Sequence, residues 1–208
     1  MKSLLRIAAA QGITLSQPDW ENLFGRRAPL EVDLGCGRGY FAKLRAVEFP
    51  EINQIALDAR IKWIELLQTR CLAEKITNLQ ALRCDVTQDL PVLFAKGSIA
   101  GFTIHHPDPW WKKRHRKRRL IQPALVGQFA SLLVPRGWVF IQTDVPDLAA
   151  EIRQIFESNP GFVEADVDRI RSEKLGGLSS HREKKCLQLG IPVSRLAFCR
   201  SDQKPGGS

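Results

Sequence analysis

Short apolar runs alternate with stretches of helical periodicity along most of this chain. The apolar runs predict strands at residues 30–34, 55–57, 79–82, 101–104, 138–142, 162–167 and 193–198. Helices are predicted at residues 40–48, from 61 to about 71, 123–133 and 145–157. A Pro-Arg-Gly turn at residues 135–137 is expected before the fifth strand. Strands that alternate with helices indicate an α/β fold with a doubly wound, mostly parallel sheet.

The composition predicts one folded domain over all 208 residues. Apolar residues make up 44%, enough to bury a core, and charged residues make up 25%, an ordinary globular value. We expect a short lead-in over about 1–28 and a loose polar tail over about 201–208. No segment approaches the roughly 18 apolar residues of a membrane span, and the five cysteines form no CxxC pair. The expected protein is therefore cytoplasmic, with no membrane segment and no metal site.

Carboxylates follow the predicted strands at the same end of the sheet. Asp58, Asp85 and Asp144 each close a strand, and Asp108 lies in a Pro-Asp-Pro loop just beyond the fourth strand. In doubly wound sheets, ligands bind at the carboxyl ends of the strands. These four acids are therefore expected around one binding site.

A glycine-rich turn after the first strand predicts a cofactor site. Residues 33–39 read Asp-Leu-Gly-Cys-Gly-Arg-Gly, a GxGxG spacing that differs from the GxGxxG of dinucleotide-binding proteins. An acid before the glycines suits a ligand with an ammonium group better than a pyrophosphate. Since Asp58 is placed for ribose hydroxyls and Asp85 for an adenine amine, the pattern predicts S-adenosylmethionine. The alternative is a tight turn with solvated aspartates.

Most of the excess positive charge lies in one internal segment. Residues 112–119 contain seven Lys or Arg in eight positions, and the formal net charge of +9 would be about +2 without them. This basic run follows Trp110 and Trp111 directly after the Asp108 loop, so a polyanion is expected beside the acids. One tryptophan is expected to pack in the core, and the other is a candidate to stack on an exposed base. A solvated helix start is the alternative explanation of the basic run.

Residues 105–120 resemble the PDPWxKKRHxKRR signature of the tRNA (guanine-N7)-methyltransferases. The glycine-rich turn, Cys84-Asp85 and Gln142-Thr143-Asp144 fit that family in order and spacing. Residues 180–184 are similar to its T-x-x-E motif, with serine in place of threonine. The resemblance, which extends over about residues 20–198, implies a class I S-adenosylmethionine-dependent methyltransferase of Rossmann-like type. It also implies methyl transfer to a guanine of tRNA, usually in the variable loop.

The resemblance implies a role for each matching residue. Cofactor contacts are implied for Asp33, Gly35, Gly37, Gly39, Asp58, Asp85 and Asp108. The implied catalytic residue is Asp108, between cofactor and base. Substrate contacts are implied for Lys112, Asp144, Ser180 and Glu183. RNA contacts are implied for Arg114, His115, Arg116, Lys117, Arg118 and Arg119.

Two other functions stay open at the level of the sequence. A methyltransferase of the same fold could act on another RNA or on a small molecule, although the basic run disfavours a small substrate. An RNA-binding module with a decayed cofactor pocket is a candidate from a different class, which the acids at every expected strand end disfavour. The expected partner is tRNA, and nothing in the sequence requires a protein partner.

Overall fold

The structure is a computed structural model that describes residues 17–202, except for the side chain of Lys113. Most of the predicted lead-in and tail, residues 1–16 and 203–208, lies outside the described residues. No helix within residues 17–202 is long and apolar enough to cross a membrane.

Seven strands form one sheet, and helices flank it. The strands are β1 (Leu30–Leu34), β2 (Asn53–Asp58), β3 (Leu79–Arg83), β4 (Ile99–His105), β5 (Leu133–Thr143), β6 (Phe162–Glu164) and β7 (Ser194–Arg200). Their order in the sheet is β3-β2-β1-β4-β5-β7-β6. β1 to β5 pair in parallel, and β7 runs antiparallel to both of its neighbours. The prediction of a doubly wound, mostly parallel sheet is confirmed.

Helices flank the sheet, and four of them lie in the crossovers between the parallel strands β1 to β5. The helices are α1 (Trp20–Phe24), α2 (Tyr40–Glu48), α3 (Ile61–Ala73), α4 (Val86–Leu93), α5 (Pro123–Leu132), α6 (Pro146–Glu157), α7 (Val167–Arg169) and α8 (His181–Gln188). A 3₁₀-helix covers Lys113–Arg118 and a π-helix covers Ile170–Lys174. Because the crossovers, which contain α2 to α5, return the chain to the same edge, the carboxyl ends of the parallel strands lie together.

Some predicted boundaries are wrong. Residues 135–137 lie inside β5 rather than in a separate turn, and the register with β4 shifts between Ile99 and Gly101, a bulge-like irregularity. β6 ends at residue 164 instead of 167, because Asp166 accepts a hydrogen bond from the Arg169 amide (3.0 Å) and caps a helical turn there. The sequence pattern does not predict helices α1, α4, α7 and α8.

Apolar side chains pack on both faces of the sheet. Phe102 and Phe129 pack on one face with ring centroids 4.5 Å apart. On the other face, Trp138 lies so close to β4 that a Cβ at Gly101 would fall 2.2 Å from the indole ring. This close approach explains why glycine occupies the strand interior there.

Candidate functional site

The glycine-rich turn connects β1 to α2 in a conformation that glycine adopts readily. Gly35, Gly37 and Gly39 all have positive φ values, of 72°, 54° and 71°. The Gly37 amide donates to Asp58 Oδ2 (2.9 Å), which ties the turn to the end of β2. At Gly39 a Cβ would also lie 2.4 Å from Leu67. The sequence therefore needs glycine here both for φ and for close packing against α3.

Asp33 lies at the floor of a cavity of about 790 Å³, called here the large cavity. Its lining includes Asp33, Gly37, His106, Asp144, Ser180 and Arg182. Asp33 is 2% exposed, and its Oδ1 accepts a hydrogen bond from Thr103 (2.9 Å). Burial raises the pKa of Asp33 to about 7, against the opposing effect of the Thr103 bond. A cationic ligand group in the large cavity would favour the ionised carboxylate, as expected for a ligand with an ammonium group.

Asp58 and Asp85 meet in a second cavity of about 390 Å³, called the aspartate cavity. Its lining includes Gly37, Asp58, Asp85, His106, Asp108 and Arg118. Asp58 Oδ1 accepts from the Arg60 amide (2.8 Å), so both of its carboxylate oxygens are held by backbone N–H groups. Asp85 caps α4 and accepts from the Thr87 hydroxyl (2.7 Å). The backbone thus fixes the orientation of Asp58, and the α4 cap fixes that of Asp85.

The Asp108 loop stands between two cavities. Asp108 is exposed, with Arg60 Nη2 4.0 Å from its Oδ2. It lines the aspartate cavity and a third cavity of about 400 Å³, called the tryptophan cavity. The tryptophan cavity is lined by Asp108, Pro109, Trp110, Trp111, Lys112 and His115. Asp108 is therefore the carboxylate common to the acids at the strand ends and to the start of the basic run.

His106 and Arg182 hold Asp144 from two sides. His106 Nδ1 lies 2.9 Å from Asp144 Oδ1, and Arg182 Nη2 donates to Oδ2 (2.5 Å). Partial burial acts to raise the pKa of Asp144, but the bonds from Arg182 and His106 outweigh it and hold the pKa at about 2. Burial lowers the pKa of His106 despite Asp144, which favours a neutral ring with Nδ1–H facing the carboxylate. Its Nε2 is buried and has no hydrogen-bond partner within the described residues.

The segment that resembles T-x-x-E forms the start of α8. Ser180 Oγ accepts from the Glu183 amide (3.1 Å) as the N-cap, and Ser180 lines the large cavity. Glu183 is fully buried and accepts from Arg195 Nε (2.7 Å), with Arg171 Nη2 3.7 Å away. Glu183 therefore lies behind the cavity wall, where it positions α8 against β7. The structure brings Ser180 to the cavity, but not the Glu183 carboxylate.

The basic run forms the 3₁₀-helix beside the tryptophan cavity. The exposed members of the run are Lys112, Arg114, Arg116, Lys117 and Arg118. His115 packs edge-on against Trp110, with ring centroids 5.8 Å apart. These side chains leave a positive surface at the rim of the site.

Arg119 differs from the rest of the basic run because it points inward. Its side chain is 4% exposed and forms an ion pair with Glu151 of α6. Its Nε donates to the Pro109 carbonyl oxygen (2.8 Å). Arg119 thus joins the Asp108 loop to α6 and is not available to an RNA phosphate in this structure.

The sequence pattern missed several residues that the fold brings to the site. His106 and Arg182 contact Asp144, and Asp89 Oδ2 accepts from the Asp85 amide (2.7 Å) while being fully buried. No group of three or more His, Cys, Asp or Glu within residues 17–202 is arranged to hold a metal ion. The only sequence signal for these residues was that His106 directly precedes the Pro-Asp-Pro loop, and this position does not indicate that Asp144 is its partner.

The architecture and the cavities at the strand ends define a class I methyltransferase. A family model described as "Putative methyltransferase" matches residues 27–196. The structure is similar to the 16S rRNA methyltransferase KamB, with a TM-score of 0.66 and 19% identity over 90% of this chain and 95% of that one. It is also similar to the aminoglycoside resistance methyltransferase NpmB1, with a TM-score of 0.61, 18% identity and the same shares of the two chains. Identities this low show the shared fold.

Sequence relatives show the particular family. The chain is 37% identical over 179 residues to the tRNA (guanine-N(7)-)-methyltransferase of Synechococcus sp. (strain JA-3-3Ab), covering 86% of this chain and 75% of the relative. It is 35% identical over 199 residues to the enzyme of that name from Nostoc sp. (strain PCC 7120), covering 93% and 90%. The chain belongs to the tRNA (guanine-N7)-methyltransferase family, and the predicted resemblance is confirmed.

Proposed function

We propose that this enzyme transfers a methyl group from S-adenosylmethionine to N7 of a guanine in tRNA, in the variable loop at position 46 of the standard tRNA numbering. The observation that carries the proposal is the position of Asp108. This carboxylate lines the aspartate cavity and the tryptophan cavity. A reacting base at Asp108 would therefore lie between the acids that suit the cofactor and the cations that suit the RNA.

The residues at the strand ends fit S-adenosylmethionine. The buried Asp33 carboxylate suits the amino group, since burial raises its pKa to about 7 and a cationic group beside it would favour the ionised form. Asp58 is held by two backbone amides and suits the ribose hydroxyls, while Asp85 suits the adenine amine. Gly35 and Gly37 line both cavities and would allow close approach to the ligand. Gly39 lines neither cavity and instead packs against Leu67, so the cofactor contact implied for it is not supported. When bound, S-adenosylmethionine supplies an electrophilic methyl group on a positively charged sulfur.

Methylation at guanine N7 requires little acid–base catalysis by the protein. N7 carries an in-plane lone pair and no proton, so no residue needs to act as a general base. The protein's main task is to align the guanine and exclude water, an orientation effect. Charge that develops on the purine can be stabilised by a carboxylate placed beside it. Asp108 is the proposed catalytic residue because it is the exposed acid at the junction of the cavities.

Three of the four predicted substrate residues line a cavity, and the fourth, Glu183, supports the helix behind it. Lys112 is exposed at the tryptophan cavity, and Asp144 and Ser180 line the large cavity. We assign Glu183 to the support of α8, since its carboxylate is fully buried against Arg195. A hydrogen-bond acceptor near the guanine could read N1–H and the exocyclic amine, which adenine does not offer in the same pattern.

The outward cations of the basic run are proposed to bind the tRNA backbone. Lys112→Ala and Arg114→Ala are expected to weaken tRNA binding and to lower the salt dependence of the binding constant by about one unit of slope each. Filter binding or calorimetry over a salt series measures both quantities. Lys96→Ala is a matched control, because Lys96 is exposed just before β4, at the amino ends of the parallel strands and so away from the site. An unchanged affinity and slope in both test variants would remove the RNA role of these residues.

The reaction itself is tested with purified protein, unmodified tRNA and labelled cofactor. The expected product is 7-methylguanosine, detected by nuclease digestion and mass spectrometry and mapped to one nucleotide. Methylation of another base atom would contradict the N7 assignment while sparing the methyltransferase activity. An idle RNA-binding module would fail to bind S-adenosylmethionine in calorimetry, which separates that alternative.

A further inference from the structure

Trp110 and Trp111 form part of the wall of the tryptophan cavity, and neither has a role in the proposed methyl transfer. Trp110 is half-buried and is held by two contacts: His115 packs edge-on against it, and the Arg118 guanidinium lies 5.2 Å from its ring centroid. The Trp110 backbone has φ +45°, an uncommon conformation for a non-glycine residue. Trp110 is therefore held in place in the loop, but neither it nor Trp111 belongs to the buried core, so the expectation that one of the pair packs in the core is wrong.

Trp111 has the opposite character. It is 72% exposed, and it lines both the tryptophan cavity and the large cavity. Single exposed apolar side chains are common and need no explanation. Trp111 is unusual because it lines an open cavity together with Asp108, and because Lys112 and His115 of the basic run line the same cavity.

The charge around this cavity selects the kind of ligand that fits it. A flat apolar wall suits a planar group, and Lys112 in the same lining suits a polyanion, as do the exposed cations of the 3₁₀-helix that follows it in the chain. A nucleotide of single-stranded RNA has both features, since its base stacks on aromatic faces and its phosphate attracts cations. An apolar protein segment would match the indole but not Lys112 and the basic run that begins there.

We propose that the tryptophan cavity is a subsite for a second, unmethylated nucleobase of the RNA, which stacks on the Trp111 indole next to the guanine that reacts. This inference rests on the proposed RNA substrate, and it adds a base contact to the phosphate contacts. Asp108 lines both this cavity and the aspartate cavity, so the second base would be an immediate neighbour of the reacting guanine in the chain. The stacked base would fix the position of the splayed guanine.

The first test is tRNA binding without cofactor, which does not depend on methyl transfer. Trp111→Ala is expected to raise the Kd for unmodified tRNA roughly 5- to 150-fold, the range for loss of one stacked base. Trp111→Phe should retain most of the affinity. The salt slope should stay at the wild-type value, since no charge is removed. Leu72→Ala serves as the matched control, because Leu72 is 81% exposed at the end of α3, away from the strand ends.

The second test removes the base instead of the indole. Unmodified tRNAs with an abasic nucleotide on either side of the target guanine are titrated with wild-type protein and with Trp111→Ala. We expect one abasic tRNA to bind wild type more weakly, and Trp111→Ala to bind that tRNA no more weakly than intact tRNA. Equal affinity of wild type and Trp111→Ala for intact tRNA overturns the proposal. The proposal is also overturned if both abasic tRNAs bind more weakly than intact tRNA by the same factor in wild type and in Trp111→Ala. A protein that binds in this pattern but yields no 7-methylguanosine would contradict the proposed reaction and leave the subsite standing.

Discussion

Asp108→Asn is expected to lower kcat for methyl transfer to tRNA by roughly 100-fold or more, the typical effect of removing one group that stabilises transition-state charge. The substitution keeps the shape of the side chain and removes its negative charge. The Asp108 side chain is 71% exposed and makes one long ion pair, to Arg60 at 4.0 Å, so folding should not depend on it. Single-turnover rates at saturating tRNA and cofactor measure the effect, and thermal unfolding checks the fold.

Asp168→Asn is the matched control, because it removes one negative charge from an exposed aspartate in α7 that lines none of the three cavities of the site. Its kcat should equal that of wild type. If Asp108→Asn is folded and transfers methyl groups at a near-normal rate, Asp108 is not the catalytic residue. A normal kcat with a raised Kd for S-adenosylmethionine would instead limit Asp108 to the cofactor-binding role that the family resemblance also implies.

The position of the acids was predictable because it depends on topology alone. Each parallel strand ends at the same edge of the sheet, so an acid at the end of a short apolar run falls there whatever its neighbours are. Asp58, Asp85 and Asp144 follow this rule, and the structure places them around adjoining cavities. The glycine-rich turn was predictable for a similar reason, since its positive φ values depend on local sequence.

The contacts between those acids and their partners were not predictable. His106 reaches Asp144 because β4 and β5 align His105 with Gln142, a register that the two separate apolar runs do not specify. The same holds within the basic run, where eight similar residues give no periodicity. Arg119 turns inward to Glu151 and to the Pro109 carbonyl, while Arg118 stays exposed, and the run of basic residues does not distinguish the two.

Arg119→Gln is expected to lower the free energy of unfolding by about 3 kcal/mol, the lower part of the range for breaking a buried ion pair. The lower part applies because Glu151 keeps 32% exposure and can be rehydrated. The variant also loses the bond to the Pro109 carbonyl, which fixes the loop next to Asp108. Chemical denaturation measures the stability. In the folded variant, kcat should fall while the salt slope of tRNA binding stays at the wild-type value, since Arg119 is proposed to position the loop rather than to contact RNA.

A double-substitution cycle and a remote buried pair separate this positioning role from general destabilisation. Arg119→Gln with Glu151→Gln should cost less stability than the sum of the two single changes, because the second change removes the carboxylate that the first leaves unpaired. Glu31→Gln breaks the buried pair between Glu31 of β1 and Arg45 of α2 (2.9 Å) and should destabilise the fold without lowering kcat. Arg119→Lys should recover part of the stability. If Arg119→Gln flattens the salt slope as Arg114→Ala is expected to do, Arg119 contacts RNA in the complex and must leave Glu151 to reach it.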